Sequence, residues 1–257
     1  MSTPPPPPAA ARAPLALDGR VALITGAARR IGRSTALRLA ADGADIVFSY
    51  RHSKDEADSL VREIAALGRT AQAHEADVTQ RDDTLRLVDA AGKLRGRLDI
   101  LVNNVGMFFG KPFEQLTESD WDTIMSTNLK SQFFMAQAAA PLLRSSGRGA
   151  IVNFASLGGL LAWPNYVHYC VSKAGVIMLT RCLSRALAPQ FRVNAIAPGT
   201  ISFPDDAPGI AEDFIRRAPL ARTGRPEDIA GAVSYLAQAD FVTGQVLVVD
   251  GGRSVPT

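Results

Sequence analysis

The chain has 257 residues, 47% of them hydrophobic and 21% charged, which permits a sizeable core and argues against global disorder. The formal net charge of +3 is too mild to point to nucleic acid as a partner. Two cysteines, Cys170 and Cys182, are too few for a disulfide framework and fit a reducing compartment such as the cytoplasm.

Residues 1–14 are a Pro/Ala-rich segment, and the proline run 4–8 cannot form a helix or a central strand. The segment lacks the charged start and apolar stretch of a signal peptide, so a disordered tail is expected, followed by one domain over 15–257. No stretch is long and apolar enough to span a membrane. From residue 20 onward, short apolar runs at 21–25, 45–49, 70–76, 100–103, 150–155, 192–197 and 245–249 read as strands buried on both faces. Amphipathic stretches at 31–41, 54–67, 81–94, 118–143, 166–188 and 226–237 read as helices between them. This alternation means right-handed βαβ crossovers. The expected fold is α/β: a single Rossmann-type, doubly wound domain with a seven-stranded parallel sheet and helices on both faces. The stretch 199–220, with three prolines and no clear strand, is expected to be a mobile flap over a site.

Four sequence features carry chemistry. The first strand ends in Thr25-Gly26-Ala27-Ala28-Arg29-Arg30-Ile31-Gly32. Glycine permits a tight turn and a close approach of backbone to ligand, and the helix that follows points free N–H groups at a phosphate. An ordinary strand–helix turn could read the same, but the position after the first strand adds weight; a P-loop is excluded because Ile31 and Gly32 stand where that motif needs Gly and Lys. The second strand ends in Ser49-Tyr50-Arg51-His52-Ser53-Lys54, with no carboxylate from Phe48 to Lys54. A dinucleotide site that binds the ribose of NAD usually places an acid here, whereas Arg51, helped by Ser53, offers the donors that suit the extra phosphate of NADP. Third come Asn103-Asn104-Val105-Gly106 after the fourth strand and, further on, Asn128 and Ser156. Fourth is Tyr169-Cys170-Val171-Ser172-Lys173, in which Tyr169 and Lys173 are four apart on a helix and share a face. An ammonium and a cationic nicotinamide near a phenol should both lower its pKa from about 10 toward a value useful in acid catalysis. Tyr166 is the nearest decoy, and it fails because position 170 is Cys, not Lys.

Together these elements resemble the short-chain dehydrogenase/reductase family over residues 20–255, in the family's order: the 25–32 turn, Asp77-Val78, Asn103 to Gly106, Asn128, Ser156, Tyr169, Lys173, Asn194, Pro198-Gly199 and Asp250-Gly251-Gly252. Within the family the likeness is to bacterial 3-oxoacyl-carrier-protein reductases and pteridine-reductase-like members. The resemblance implies a catalytic tetrad of Asn128, Ser156, Tyr169 and Lys173. Tyr169 donates the proton, Ser156 positions the carbonyl, Lys173 binds the nicotinamide ribose and tunes Tyr169, and Asn128 holds a water. It also implies an NADPH site made by Gly26, Arg30, Ile31, Gly32, Arg51, Ser53, Asp77, Val78, Asn103, Gly106, Tyr169, Lys173, Pro198, Gly199 and Thr200. No metal is expected. The implied protein is a cytoplasmic homotetramer or homodimer, with the helices at 118–143 and 166–188 in one dimer contact.

Three departures stand out. Arg30 replaces the usual middle glycine of the turn, as in pteridine reductases, where it lies against the cofactor's phosphates. Val105 replaces alanine. Phe203 stands where the family has a threonine after Pro-Gly, with Thr200 nearby. The expected activity is NADPH-dependent hydride transfer to a carbonyl, either a 3-oxoacyl thioester or a general ketone. A dihydropterin or dihydrofolate substrate is the alternative, favoured by Phe108, which matches the ring that stacks on the pterin in pteridine reductases. Ser156 counts against that alternative, since the parasite enzymes carry an aspartate there. A non-catalytic dinucleotide sensor is the alternative of another class, and an intact Ser156, Tyr169 and Lys173 argue against it.

Overall fold

The computed structural model describes residues 16–206 and 211–255. The expected tail at 1–14 lies outside them. Seven parallel strands form one sheet in the order β3-β2-β1-β4-β5-β6-β7. They are β1 (Val21–Ile24), β2 (Asp45–Tyr50), β3 (Ala71–Glu75), β4 (Ile100–Asn103), β5 (Gly149–Phe154), β6 (Phe191–Pro198) and β7 (Val246–Val249). The helices are α1 (Arg30–Ala41), α2 (Lys54–Ala66), α3 (Arg81–Arg95), α4 (Glu118–Met125), α5 (Ser131–Ser145), α6 (Val167–Leu187), α7 (Glu212–Arg217) and α8 (Pro226–Gln238).

Side chains alternate across a strand, and two cores follow from that. Ala22 and Ile24 of β1 join Ile46, Phe48, Leu39, Leu60, Ile229 and Val233 on the face covered by α1, α2 and α8. Val21 and Leu23 join Val47, Leu87, Met135 and Leu143 on the face covered by α3 and α5. The five inner strands are buried along nearly their whole length, whereas β3 and β7 are only partly buried because they are edges. The sequence reading, which expected all seven to be buried on both faces, is corrected for those two.

Two other differences bear on function. The helix expected over 118–143 is interrupted: α4 and α5 are joined by one π-helical turn, Ser126–Lys130. The stretch 199–220 holds more structure than a plain flap, since Ile201 bridges to Gly224 and α7 lies within it. The chain order reverses between β1 and β4: β1 runs outward through β2 to β3, and β4 runs the other way to β7. Open α/β sheets bind ligands at such a switch point, beyond the C-terminal ends of the strands.

Candidate active site

The Gly-rich turn sits at that switch point and is tied to the end of β4. Thr25 Oγ1 accepts the N–H groups of Asn104 (2.9 Å) and Val105 (3.1 Å), and Asn104 Nδ2 donates to the carbonyls of Thr25 and Gly26. Gly26 has a φ of +66° and donates its N–H to Ser49 Oγ of β2. A Cβ on Gly32 would stand 2.5 Å from the Gly26 carbonyl oxygen, so the turn closes this tightly only because residue 32 is glycine. Helix α1 then begins with no side-chain cap from Arg29 and no acid in its first turn. Its first N–H groups have no side-chain cap, and with the positive end of the helix dipole they suit a pyrophosphate. The residues present therefore fit a dinucleotide.

Asn103 turns its side chain into the sheet, where it donates to Asn153, and Asn153 in turn donates to Thr180. The side chain that reaches the turn is that of Asn104, which the sequence reading did not single out. At the end of β2, Arg51 is largely exposed and lies 3.3 Å from Asp77. Burial alone would raise the Asp77 pKa; hydrogen bonds from the Thr79 N–H and hydroxyl, with Arg51 and His52 nearby, outweigh it and hold the carboxyl below its usual range. The search for an acid within 48–54 could not see this one, because the sheet brings it from the residues after β3. Ser53 begins α2 without using its hydroxyl as a cap. Arg29 is a second cation on the turn, paired only loosely with Glu56 (3.6 Å) and Asp205 (3.8 Å). The sequence reading passed over it, although its place beside Arg30 on the turn was the available signal.

The side chains expected to be catalytic converge from β5, α6 and the π turn. Ser156 follows β5; its Oγ accepts the Gly158 N–H at 3.1 Å, which leaves its O–H free to donate. Tyr169 and Lys173 lie one turn apart on α6 and both are buried. Lys173 Nζ donates to the Phe154 carbonyl at 2.8 Å and stands 5.8 Å from the centre of the Tyr169 ring. Burial pushes the Tyr169 phenol up to about 12, against the pull of the Ser156 hydroxyl, and burial brings Lys173 down to about 8. The expected depression of Tyr169 by Lys173 is therefore absent from the protein on its own. Loss of water around the phenol outweighs the ammonium 5.8 Å from the ring centre, so Tyr169 is held neutral.

Asn128 occupies the π turn, a local irregularity frequent at functional sites. Its Oδ1 accepts the Met107 N–H at 2.7 Å; its Nδ2 donates to the Met107 carbonyl and to Ser172 Oγ. Both amide protons are used, so only an Oδ1 lone pair is left for a water. Gly106 lines the open side of Lys173: a Cβ there would stand 3.3 Å from Nζ and 3.5 Å from Asn128 Oδ1. By clamping Met107, Asn128 also sets the next residue. Phe108 is 57% exposed, stacks face to face on Tyr166 (centroids 4.6 Å apart, planes 2° apart) and meets Tyr169 edge-on at 4.7 Å. Phe109 goes elsewhere, against His168. The sequence decoy Tyr166 is thus part of the site's wall. Pro198 ends β6, Gly199 packs against Phe214 and Asp250, and the Thr200 carbonyl accepts the Gly224 N–H.

Comparison with known proteins gives this constellation its place. The family model described as Enoyl-(Acyl carrier protein) reductase matches residues 26–254. The 3-oxoacyl-[acyl-carrier-protein] reductase FabG of Thermotoga maritima is 39% identical, over 92% of this chain and 98% of the relative. This chain belongs to the short-chain dehydrogenase/reductase family. Among solved structures, a double variant of a Serratia marcescens short-chain dehydrogenase/reductase superposes with a TM-score of 0.89 at 33% identity, covering 93% of this chain and 99% of that one. A 7α-hydroxysteroid dehydrogenase complexed with NADH and 7-oxo glycochenodeoxycholic acid superposes with a TM-score of 0.87 at 35% identity, covering 92% and 94%. As a short-chain dehydrogenase/reductase related to the bacterial 3-oxoacyl-carrier-protein reductases, the chain is an NADP(H)-type oxidoreductase of the C=O/CH–OH class. Among the described residues, no helix is long and apolar enough to cross a membrane.

Proposed function

We propose that the protein reduces a ketone carbonyl with NADPH in preference to NADH, and that Ser156, Tyr169 and Lys173 carry the chemistry. The observation behind this reading is their convergence around a phenol kept neutral by burial, with a serine hydroxyl free to donate beside it. Ser156 donates to the carbonyl oxygen and holds it against Tyr169. The dinucleotide, when bound, supplies the hydride to the carbonyl carbon. As the C–O π bond breaks, its electron pair goes to oxygen and Tyr169 transfers the phenolic proton there, so an alcohol leaves and a phenolate remains. Lys173, with a pKa near 8, stabilises that phenolate and passes a proton back to it, while the free lone pair of Asn128 holds a water beside Gly106. Lys173 also serves the nicotinamide ribose.

The dinucleotide is assigned to the turn backbone at Gly26, Ile31 and Gly32, to Asp77 and Val78 at the adenine, to the backbone of Asn103 and Gly106, and to Pro198, Gly199 and Thr200 at the nicotinamide. Arg51 and Ser53, with Arg29 close by, favour the 2′-phosphate. The 3-oxoacyl thioester is the substrate that the curated relatives support. The half-open Phe108 ring favours a second reading, a planar ring substrate such as a dihydropterin. Loss of NADPH absorbance with acetoacetyl-coenzyme A, simple ketones and dihydrobiopterin tests both. Turnover of none of them, or equal kcat/KM with NADH, refutes the assignment.

A homodimer or homotetramer is proposed through α4, α5 and α6. A broad hollow lined by Met125, Leu129, Phe133 and Phe134 supports it, and light scattering on the purified chain checks it. The two free thiols support a cytoplasmic location.

A further inference from the structure

Arg30 is the most unusual residue near the site. Its φ is +53°, in the left-handed region that an L side chain rarely adopts. That backbone aims the guanidinium away from the turn and onto the segment that leaves β6. One nitrogen lies 3.1 Å from Asp205 Oδ2, another 3.3 Å from Asp206 Oδ1, and the guanidinium carbon stands 4.6 Å above the centre of the Phe203 ring. Asp206 also accepts the Phe203 N–H at 2.8 Å, which folds the segment so that both carboxylates and the ring meet one cation.

Topology says what these contacts span. β1 and β6 are separated in the sheet by β4 and β5, three spacings or about 14 Å. Seven residues, 199–205, reach at most about 23 Å when extended, enough to cross that gap. The Arg30 contacts therefore hold the segment between the end of β6 and the Gly-rich turn after β1, two points with the ends of β4 and β5 between them, and residues 200–202 meet Thr223 and Gly224 on the way. The departures at Arg30 and Phe203 noted in the sequence, which looked independent, meet in this one contact.

We propose that Arg30 is a positioning residue for carbonyl reduction: its partners are Asp205, Asp206 and Phe203, and it acts by fastening the 203–206 segment over the catalytic cleft. The inference rests on the carbonyl-reductase reading. The pairs are half-exposed, so each contact is modest and screened by salt, and their joint effect falls on how tightly the cleft holds the ketone.

The test uses the full chain, with NADPH and acetoacetyl-coenzyme A, or 2,3-butanedione if the thioester is not turned over. Arg30→Gly removes the cation and the backbone strain together. It should raise the ketone KM about three- to ten-fold, change kcat less, and leave the NADPH Kd within about two-fold. Asp205→Asn with Asp206→Asn should reproduce the KM increase, and adding Arg30→Gly to that pair should change KM little further. Arg30→Lys should restore part of the effect, and 0.5 M NaCl should raise the wild-type KM toward that of the variants. If Arg30→Gly does not fold, the Asp205→Asn, Asp206→Asn pair and the salt series carry the test alone. The proposal is overturned if Arg30→Gly weakens NADPH ten-fold while the two aspartate changes do nothing, since Arg30 is then a phosphate ligand. It is also overturned if the two sets of changes are additive or leave KM unmoved. Tyr169→Phe, measured alongside, separates a failure of this inference from a failure of the reductase reading.

Discussion

Lys173 is a buried ammonium with one hydrogen-bond acceptor, and Lys173→Met deletes a charge that folding must strip of its water. Burial lowers its pKa from 10.5 to about 8, a change of about 2.5 units, which corresponds to roughly 3 kcal/mol of cost when the lysine is charged in the fold. The lost hydrogen bond to the Phe154 carbonyl offsets about half of the gain from deletion. That carbonyl is not orphaned by the change, because Gln132 Nε2 also donates to it at 3.3 Å. Methionine matches the length of the stem and adds no polar atom. A net stabilisation of about 1–2 kcal/mol remains near neutral pH. For a chain of this size that raises Tm by about 2–8 °C.

The pH dependence gives the sharper check. The folded pKa lies below the unfolded one, so between about pH 8 and 10.5 the unfolded chain binds the extra proton and wild-type stability rises with pH. Below about pH 8 the full cost of the buried charge is present; toward pH 10.5 it disappears. The difference in Tm between Lys173→Met and wild type should thus be largest near pH 7 and close as pH rises, other titrations cancelling between the two proteins. Melting curves by circular dichroism from pH 7 to 10 read this directly. A variant that melts below wild type at pH 7, or a difference that does not change with pH, refutes the reasoning. The variant should have no measurable turnover, because the residue that destabilises the fold is the one proposed to recharge the phenol.

Tyr169→Phe should retain NADPH binding, seen by fluorescence, and lose turnover by about 10²–10⁴-fold, the usual size of a general-acid contribution. Arg51→Ala should lower the NADPH over NADH preference in kcat/KM by roughly ten-fold, because it removes a guanidinium and leaves the Asp77 carboxylate facing the phosphate. Phe108→Ala should raise KM for a planar ring ketone by about two- to ten-fold more than for acetoacetyl-coenzyme A, as measured in paired kinetic runs.

The fold and the nearness of Tyr169 to Lys173 were largely legible in the sequence because each rests on a local rule. Buried parallel strands must be continuous apolar runs, and all seven ranges agree with the structure to within a residue at each end, even β3, which is the least apolar and an edge. Tyr169 and Lys173 needed only helical spacing to be placed together. What escaped reading depends on contacts between distant segments. Asp77 faces Arg51 only because β3 pairs with β2. The π turn that carries Asn128 inserts into an otherwise regular amphipathic pattern, and nothing in residues 118–143 marks it.

The pKa of Tyr169 is the most instructive difference. Sequence spacing places a cation near the phenol and suggests that its pKa falls. Spacing says nothing about depth, and both groups lie beneath the same cover, where desolvation outweighs a charge 5.8 Å from the ring centre. A phenol pushed up to about 12 beside a lysine drawn down to about 8 keeps its proton in the protein without a dinucleotide. The burial that costs the fold stability at Lys173 is therefore the same feature that holds the Tyr169 proton in place.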